Sequence, residues 1–266
     1  MPTADGSPLS VVSAGGRQMR CCILMAWAPG RPLVDVPVDR LLPHGLRSVG
    51  AYLARTHSVS EGFSVPEGFL RPERGFFAHV YGSSALLWQR GAVVYSTAQM
   101  DVFRRAASRI CSELASLGNG RDVFGMIHAD PHLNNLLVSD DAIGPEGVCA
   151  VDFDGTGWGH YLYDLAVTLL SLESWLNERP DIRAAAREAL LEGYFSERPP
   201  SGVHRDRLAV FKALRLVELA SRVLSWDRPE RQWWGPPLLA EAPVRLARFL
   251  DEGDIGDIGE TPGTTP

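Results

Sequence analysis

The chain has 266 residues, of which 45% are hydrophobic, enough to bury a substantial core as one large domain or two small ones. No apolar run approaches the ~18 residues of a membrane span, the N-terminus lacks the pattern of a secretory signal, and a net charge of −6 argues against a nucleic-acid partner. Cys21, Cys22, Cys111 and Cys149 form neither a metal-binding spacing nor a disulfide framework, which fits a reducing cytoplasm with no membrane association.

In chain order, Leu9 to Val12 and Arg20 to Trp27 are apolar runs around Ser13-Ala14-Gly15-Gly16-Arg17, the pattern of a hairpin. Pro37-Val38-Asp39 offers a helix start, and Leu41, Leu42, Leu46, Val49, Leu53 and Ala54 recur at helical spacing up to His57, which is expected to face the dipole at the helix end. Residues 58 to 95, rich in Gly, Pro and aromatics without clear period, are expected to form a long ordered connection with short helical turns, its aromatics packing beneath it. Ser96-Thr97-Ala98-Gln99 fits a capping box, and Val102, Phe103, Ala106, Ile110, Leu114 and Leu117 predict an amphipathic helix closed by Gly118-Asn119-Gly120.

Asn135 to Val138 and Gly147 to Phe153 read as hairpin arms around Gly144-Pro145-Glu146-Gly147. A nearly continuous apolar helix is expected after Asp164, whose carboxylate suits free N–H groups at a helix start. Helical patterns follow over Asp181 to Phe195, Val203 to Trp226 and Leu238 to Leu250, with Pro-rich breaks between them. Glu173, Glu188, Glu192, Glu218 and Asp227 are acids that would reach a cleft or simply be solvated. The tail from Asp251 to Pro266 has no core pattern and is expected to be disordered.

Chemistry concentrates in His128-Ala129-Asp130-Pro131-His132-Leu133-Asn134-Asn135 and in Val151-Asp152-Phe153-Asp154. A carboxylate, then an amide, then a second carboxylate is the order a phosphoryl-transfer site needs: Asp130 to orient an attacking hydroxyl, Asn135 and Asp152 as hard oxygen donors for Mg2+. The alternation His128, Asp130, His132, joined by Asp152 or His160, leaves open a transition-metal hydrolase if the segment is extended, although Pro131 and the lack of a further His pair weigh against it. There is no G-x-S-x-G elbow, and no arrangement for cysteine catalysis.

The form His128-x-Asp130-x-x-x-x-Asn135-Leu-Leu, then Asp152-Phe-Asp-Gly, then Asp164-Leu-Ala, resembles the aminoglycoside phosphotransferase and choline kinase-like family of small-molecule kinases. The resemblance implies Asp130 as catalytic base, Asn135 and Asp152 as magnesium ligands, and Asp164 as a brace of the catalytic loop; His128, read on its own, orders that loop through hydrogen bonds rather than binding metal. Cys22 to Leu33 resembles the last N-lobe strand and hinge of that family, which implies adenine contacts at the backbone of Ala26 and Ala28. The family's glycine loop, phosphate-binding lysine and helix glutamate have no counterpart upstream of this hairpin. Of the 26 basic residues only Lys212 is lysine, and it lies beyond the catalytic loop. Arg17, Arg20 and Arg31 are the nearby cations, more simply read as surface residues.

The resulting expectation is an α+β, protein kinase-like fold: a remnant N-lobe hairpin and hinge over 1–28, a mainly helical C-lobe over 29–250 and a disordered tail over 251–266. Its function would be transfer of the γ-phosphoryl group of ATP or GTP to a hydroxyl of a small molecule, for which an acidic cleft would favour cations. The alternatives are a degenerate kinase that binds without catalysis, and a sequence whose true start lies upstream of Met1. The acceptor and the oligomeric state are not legible.

Overall fold

The computed structural model describes residues 10–13, 19–22, 25–73, 85–139, 145–199, 205–225 and 234–256. The first two runs are strands β1 (Ser10–Ser13) and β2 (Met19–Cys22), antiparallel with Val11 opposite Cys21. The second strand is shorter than its apolar run, and Met25 to Pro29 are irregular, with Trp27 exposed. The chain then enters β3 (Arg31–Pro32), which pairs antiparallel with β5 (Leu136–Val138). Gly30 makes this entry possible: its φ is +115°, and a Cβ would lie 2.7 Å from the Val138 carbonyl oxygen.

The helix expected to run unbroken to His57 is divided. A short α1 (Val38–Leu41) stops at Leu42, whose extended ψ of 137° precedes Pro43, and α2 (His44–Glu61) begins after it. A residue before proline is driven out of the α region, which accounts for the break. The second helix continues a turn past His57, so that residue is not at a helix end.

Between 58 and 95 the expectation of short turns is corrected by a ten-residue helix, α3 (Ala85–Val94); residues 74–84, with Phe76, Phe77 and Tyr81, lie outside the described residues. Gly91, Val93 and Val94 weaken the helical signal. A Cβ at Gly91 would meet Met100 Sδ at 2.8 Å, so the glycine permits close packing on α4 (Thr97–Leu117). That helix begins with the expected reciprocal cap: Gln99 N donates to Ser96 Oγ, and Ser96 N donates to Gln99 Oε1.

Two small sheets carry the central loops. Strand β4 (Phe124–Ile127) pairs with β7 (Gly157–His160), while β5 pairs with β6 (Val148–Ala150). Residues 128–135 therefore pass from one sheet to the other, and residues 151–156 pass back between the same two sheets. The crossings run side by side: a Cβ at Gly155 would lie 3.3 Å from the His128 carbonyl oxygen.

Helices α5 (Tyr161–Trp175), α6 (Pro180–Glu197), α7 (Leu208–Ser225) and α8 (Gly235–Glu252) complete the helical part. Its core joins Leu46, Phe103, Ile110, Leu165, Leu169, Phe211 and Phe249, all at most 1% exposed, each contributing roughly 1.5–3 kcal/mol by burial. Helices α2 and α6 touch backbone to backbone: a Cβ on Gly50 would fall 2.0 Å from the Leu190 carbonyl oxygen, and one on Gly193 2.0 Å from that of Arg47.

The first residues of the expected tail are not disordered. The last helix extends to Glu252, Ile255 is buried, and Arg245 donates to the carbonyls of Ile255 and Gly256. Residues 257–266, like Trp226 and Asp227, lie outside the described residues. Among the described residues no helix is long and apolar enough to cross a membrane.

Candidate active site

The loop between β4 and β5 is held by a buried carboxylate. Asp164, 1% exposed, accepts the His128 amide on Oδ2 and the Ala129 amide on Oδ1, both at 2.8 Å. The paired contacts fix Ala129 at φ +68°, a left-handed conformation that costs a non-glycine residue roughly 1–2 kcal/mol. Asp164 lies in the first turn of α5, but its oxygens bind the neighbouring loop as well as facing His57. The imidazole Nε2 of His57 lies 3.2 Å from Asp164 Oδ2; a carboxylate only accepts, so the imidazole donates. Nδ1 of the same ring meets the Tyr194 hydroxyl at 2.9 Å. His57, read from sequence as a dipole partner, is thus part of the brace beneath the loop. Burial raises the pKa of the Tyr194 phenol.

Further bonds fix the loop along its length. His128 bonds the Val151 carbonyl through Nε2 at 2.9 Å, and its Nδ1 receives the Asp130 amide at 3.3 Å. Thr168 Oγ1 donates to the Pro131 carbonyl and the Leu133 amide donates to Ser171 Oγ, both hydroxyls belonging to α5. Asn135 Nδ2 donates to the Asp130 carbonyl at 3.0 Å, leaving the amide oxygen as its remaining polar atom, and the Val151 amide bonds the Asn135 carbonyl at 2.9 Å. Asp130, Asn135 and the arm bearing Asp152 are consequently tied into one unit.

Asp152 has φ +65° and an exposed carboxyl that shares a hydrogen bond with Asp154. Local desolvation, then the Asp154 carboxylate and the bond to it, then Asp130, raise its pKa. Asp130 and Asp152 are therefore close enough to sense each other's charge. His132 lies near both: burial lowers its pKa, and the two carboxylates oppose that shift. The sequence places Asp154 in the same segment but assigns it no role.

It also names no partner for Asp130. Arg215 Nη2 bonds Asp130 Oδ1, and Arg222 Nη1 lies 3.4 Å from Oδ2. Burial pushes the Asp130 carboxyl upward, but the two guanidiniums outweigh it and hold the pKa below the ordinary value. Glu218 stands between them on α7, accepting from Arg215 at 3.2 Å, from Arg222 at 3.2 Å and from the Tyr163 hydroxyl. Residues 215, 218 and 222 share one helix face. Arg215, Glu218 and Arg222 at i, i+3 and i+7 of a mostly apolar helix were the available signal.

Other expected acids are occupied elsewhere. Glu173 is buried against Lys212 at 2.7 Å, and Glu192 pairs with Arg47 at the surface. The loop is not the extended strand that a His128, Asp130, His132 metal face requires, and among the described residues no group of three His, Cys, Asp or Glu could hold a metal. Ala26 is exposed and Ala28 half-buried in the irregular segment before β3.

Comparison with known proteins gives a consistent set. A family model described as the phosphotransferase enzyme family matches residues 6–211. Amicoumacin kinase of Bacillus subtilis (strain 168) is 25% identical over 203 residues, covering 74% of this chain and 55% of its own length, so this chain spans about half of that relative. A microcompartment-associated aminopropanol kinase matches with a TM-score of 0.76 at 24% identity, over 96% of this chain and 76% of that one. The amicoumacin kinase hAmiN, in complex with AMP-PNP, Ca2+ and Ami, matches with a TM-score of 0.69 at 21% identity, over 95% and 71%. A choline/ethanolamine kinase family protein from Mesorhizobium loti matches at 0.56 and 18%, over 96% and 74%. These structural likenesses give the protein kinase-like α+β fold.

Proposed function

The chain belongs to the phosphotransferase enzyme family, and from that premise we propose that it transfers the γ-phosphoryl group of a nucleoside triphosphate, ATP or GTP, to a hydroxyl of a small molecule. One observation carries the reading: Asn135 Nδ2 on the Asp130 carbonyl and the Val151 amide on the Asn135 carbonyl bind base, amide and second carboxylate into one rigid corner. Asp130 is the base. The acceptor oxygen forms a bond to the γ-phosphorus while its proton passes to Asp130, the bond from that phosphorus to the β,γ-bridging oxygen breaks, and the nucleoside diphosphate leaves. His128 and Asp164 keep the loop in position, and the backbone of Ala26 and Ala28 would meet the adenine.

The donor set suits magnesium. Local desolvation first, and then the carboxylates of Asp154 and Asp130, raise the pKa of Asp152, and a divalent cation would relieve the negative charge gathered there. Mg2+ takes one or two protein oxygens and completes its shell with water and phosphate. Asn135 Oδ1 and Asp152 would hold it, and when bound it offsets charge on the phosphates.

Calorimetric titration with ATP and GTP in Mg2+, followed by labelled γ-phosphoryl transfer to a panel of hydroxylated amines, acids and sugars, tests the reading. Transfer that disappears in Asp130→Asn is expected. Nucleotide binding without any transfer would leave the second reading, a binding module, in its place. That alternative is favoured by one observation: the chain's single lysine is buried against Glu173 and is not available to phosphates.

A further inference from the structure

The cluster that α7 presents to Asp130 bears on the acceptor. Arg215 is 4% exposed and has its guanidinium divided among Asp130, Glu218 and the Tyr163 hydroxyl. Glu218, 7% exposed, receives Arg215, Arg222 and Tyr163 together, so its charge is already taken up. Arg222 differs from both. Its side chain is 42% exposed, and its contact with Asp130 Oδ2, at 3.4 Å, is long for a charge-assisted hydrogen bond.

A hydroxyl that docks on Asp130 competes for that same Oδ2. When it does, Arg222 keeps Glu218 and is left with an outward-facing guanidinium edge beside the acceptor. The Nη1 released from Asp130, with the charge behind it, donates to a carboxylate or another anion and repels an ammonium. Resting on the transfer reading above, we infer that the acceptor is a hydroxyl compound carrying an anionic group, which Arg222 binds as the hydroxyl reaches Asp130. This departs from the cation preference that net charge suggested. Net charge counts the whole chain, whereas the one open charged group that α7 offers at Asp130 is a guanidinium.

The test compares three probes of equal length on the full chain: 3-hydroxypropanoate, 1,3-propanediol and 3-amino-1-propanol. Binding is read by calorimetry without nucleotide, and transfer is read separately as kcat/KM. The hydroxy acid is expected to lead the amino alcohol by about tenfold or more, as loss of one charge-assisted contact implies. Arg222→Gln should bring it to the level of the diol while the KM for nucleotide stays unchanged, and Arg222→Lys should retain part of the preference.

Preference for the amino alcohol in the unaltered chain overturns the inference. So does an Arg222→Gln variant that loses turnover equally on all three probes or binds nucleotide more weakly, since the anion would then be the phosphoryl group. If no probe is phosphorylated, the transfer reading fails for this acceptor class, but binding still decides: hydroxy-acid binding lost in Arg222→Gln supports the inference, and no such binding overturns it.

Discussion

The Nε2 of His57 and the Oδ2 of Asp164 lie 3.2 Å apart across 107 residues of chain, both side chains about 2% exposed. The bond joins α2 to the helix that carries the loop brace, and the phenol of Tyr194 adds α6 to the same point. Three helices therefore converge under one carboxylate, and the loop of residues 128–135 rests on it.

Replacing Asp164 should be felt first as lost stability. Asp164→Ala leaves two buried amides and an imidazole without their acceptor, and a cost of about 3 kcal/mol is expected. Chemical denaturation measures it. A midpoint within error of the unaltered chain would mean that the loop is held by its other bonds alone.

Asp130→Asn should lower transfer by at least about a hundredfold through loss of the base. The structure adds a stability effect that the sequence offers no reason to expect, because Arg215 is buried and loses one of its two ionic partners, keeping only Glu218. A loss of about 1–3 kcal/mol is expected, and Asp130→Asn combined with Arg215→Met should recover part of it. Stability of the single variant equal to that of the parent would contradict the ion pair.

His160 makes stability depend on pH. Burial lowers its pKa, partly opposed by the bond from Nε2 to the Gly118 carbonyl and by Glu73. The unfolded chain titrates near the ordinary value of about 6.5 and so takes up the proton first as pH falls. Stability should therefore be intact above about pH 6.5 and decline below it, towards the lower pKa of the folded state. Urea midpoints at about pH 7.5 and about pH 5 should differ less in His160→Gln than in the parent; an equal difference would assign the acid sensitivity to other groups.

Lys212 and Glu173 form a buried pair at 2.7 Å between α7 and α5. Lys212→Met should lower Tm by about 10 °C, the loss expected when one partner of a buried pair is removed. Adding Glu173→Leu should return most of it, since a matched apolar pair avoids the isolated charge. A double variant no more stable than the single one would show that Glu173 is held for another reason.

What the sequence disclosed was what short-range chemistry determines. The Ser96 and Gln99 cap, the pairing of β5 with β6 and the Asp-x-x-x-x-Asn spacing each depend on residues close to one another in the chain. His57 was misjudged because its partners are 107 and 137 residues away. Arg215 and Arg222 carry no local signal that separates them from the charged surface of an ordinary helix, because the carboxylate they meet lies 85 and 92 residues away. The third helix was hidden by Gly91, whose missing side chain weakens local helical preference while allowing the contact with Met100.

The glycines at 50 and 193 carry an implication for the chemistry. Both lie within helices, and at each of them the backbones of α2 and α6 meet with no side chain between them. A single methyl group at either position would wedge the two rods apart, carrying Tyr194 from the imidazole of His57 and slackening the support beneath Ala129. On the transfer reading proposed above, turnover should thus depend on the width of a seam between two helices that carry none of Asp130, Asn135 or Asp152.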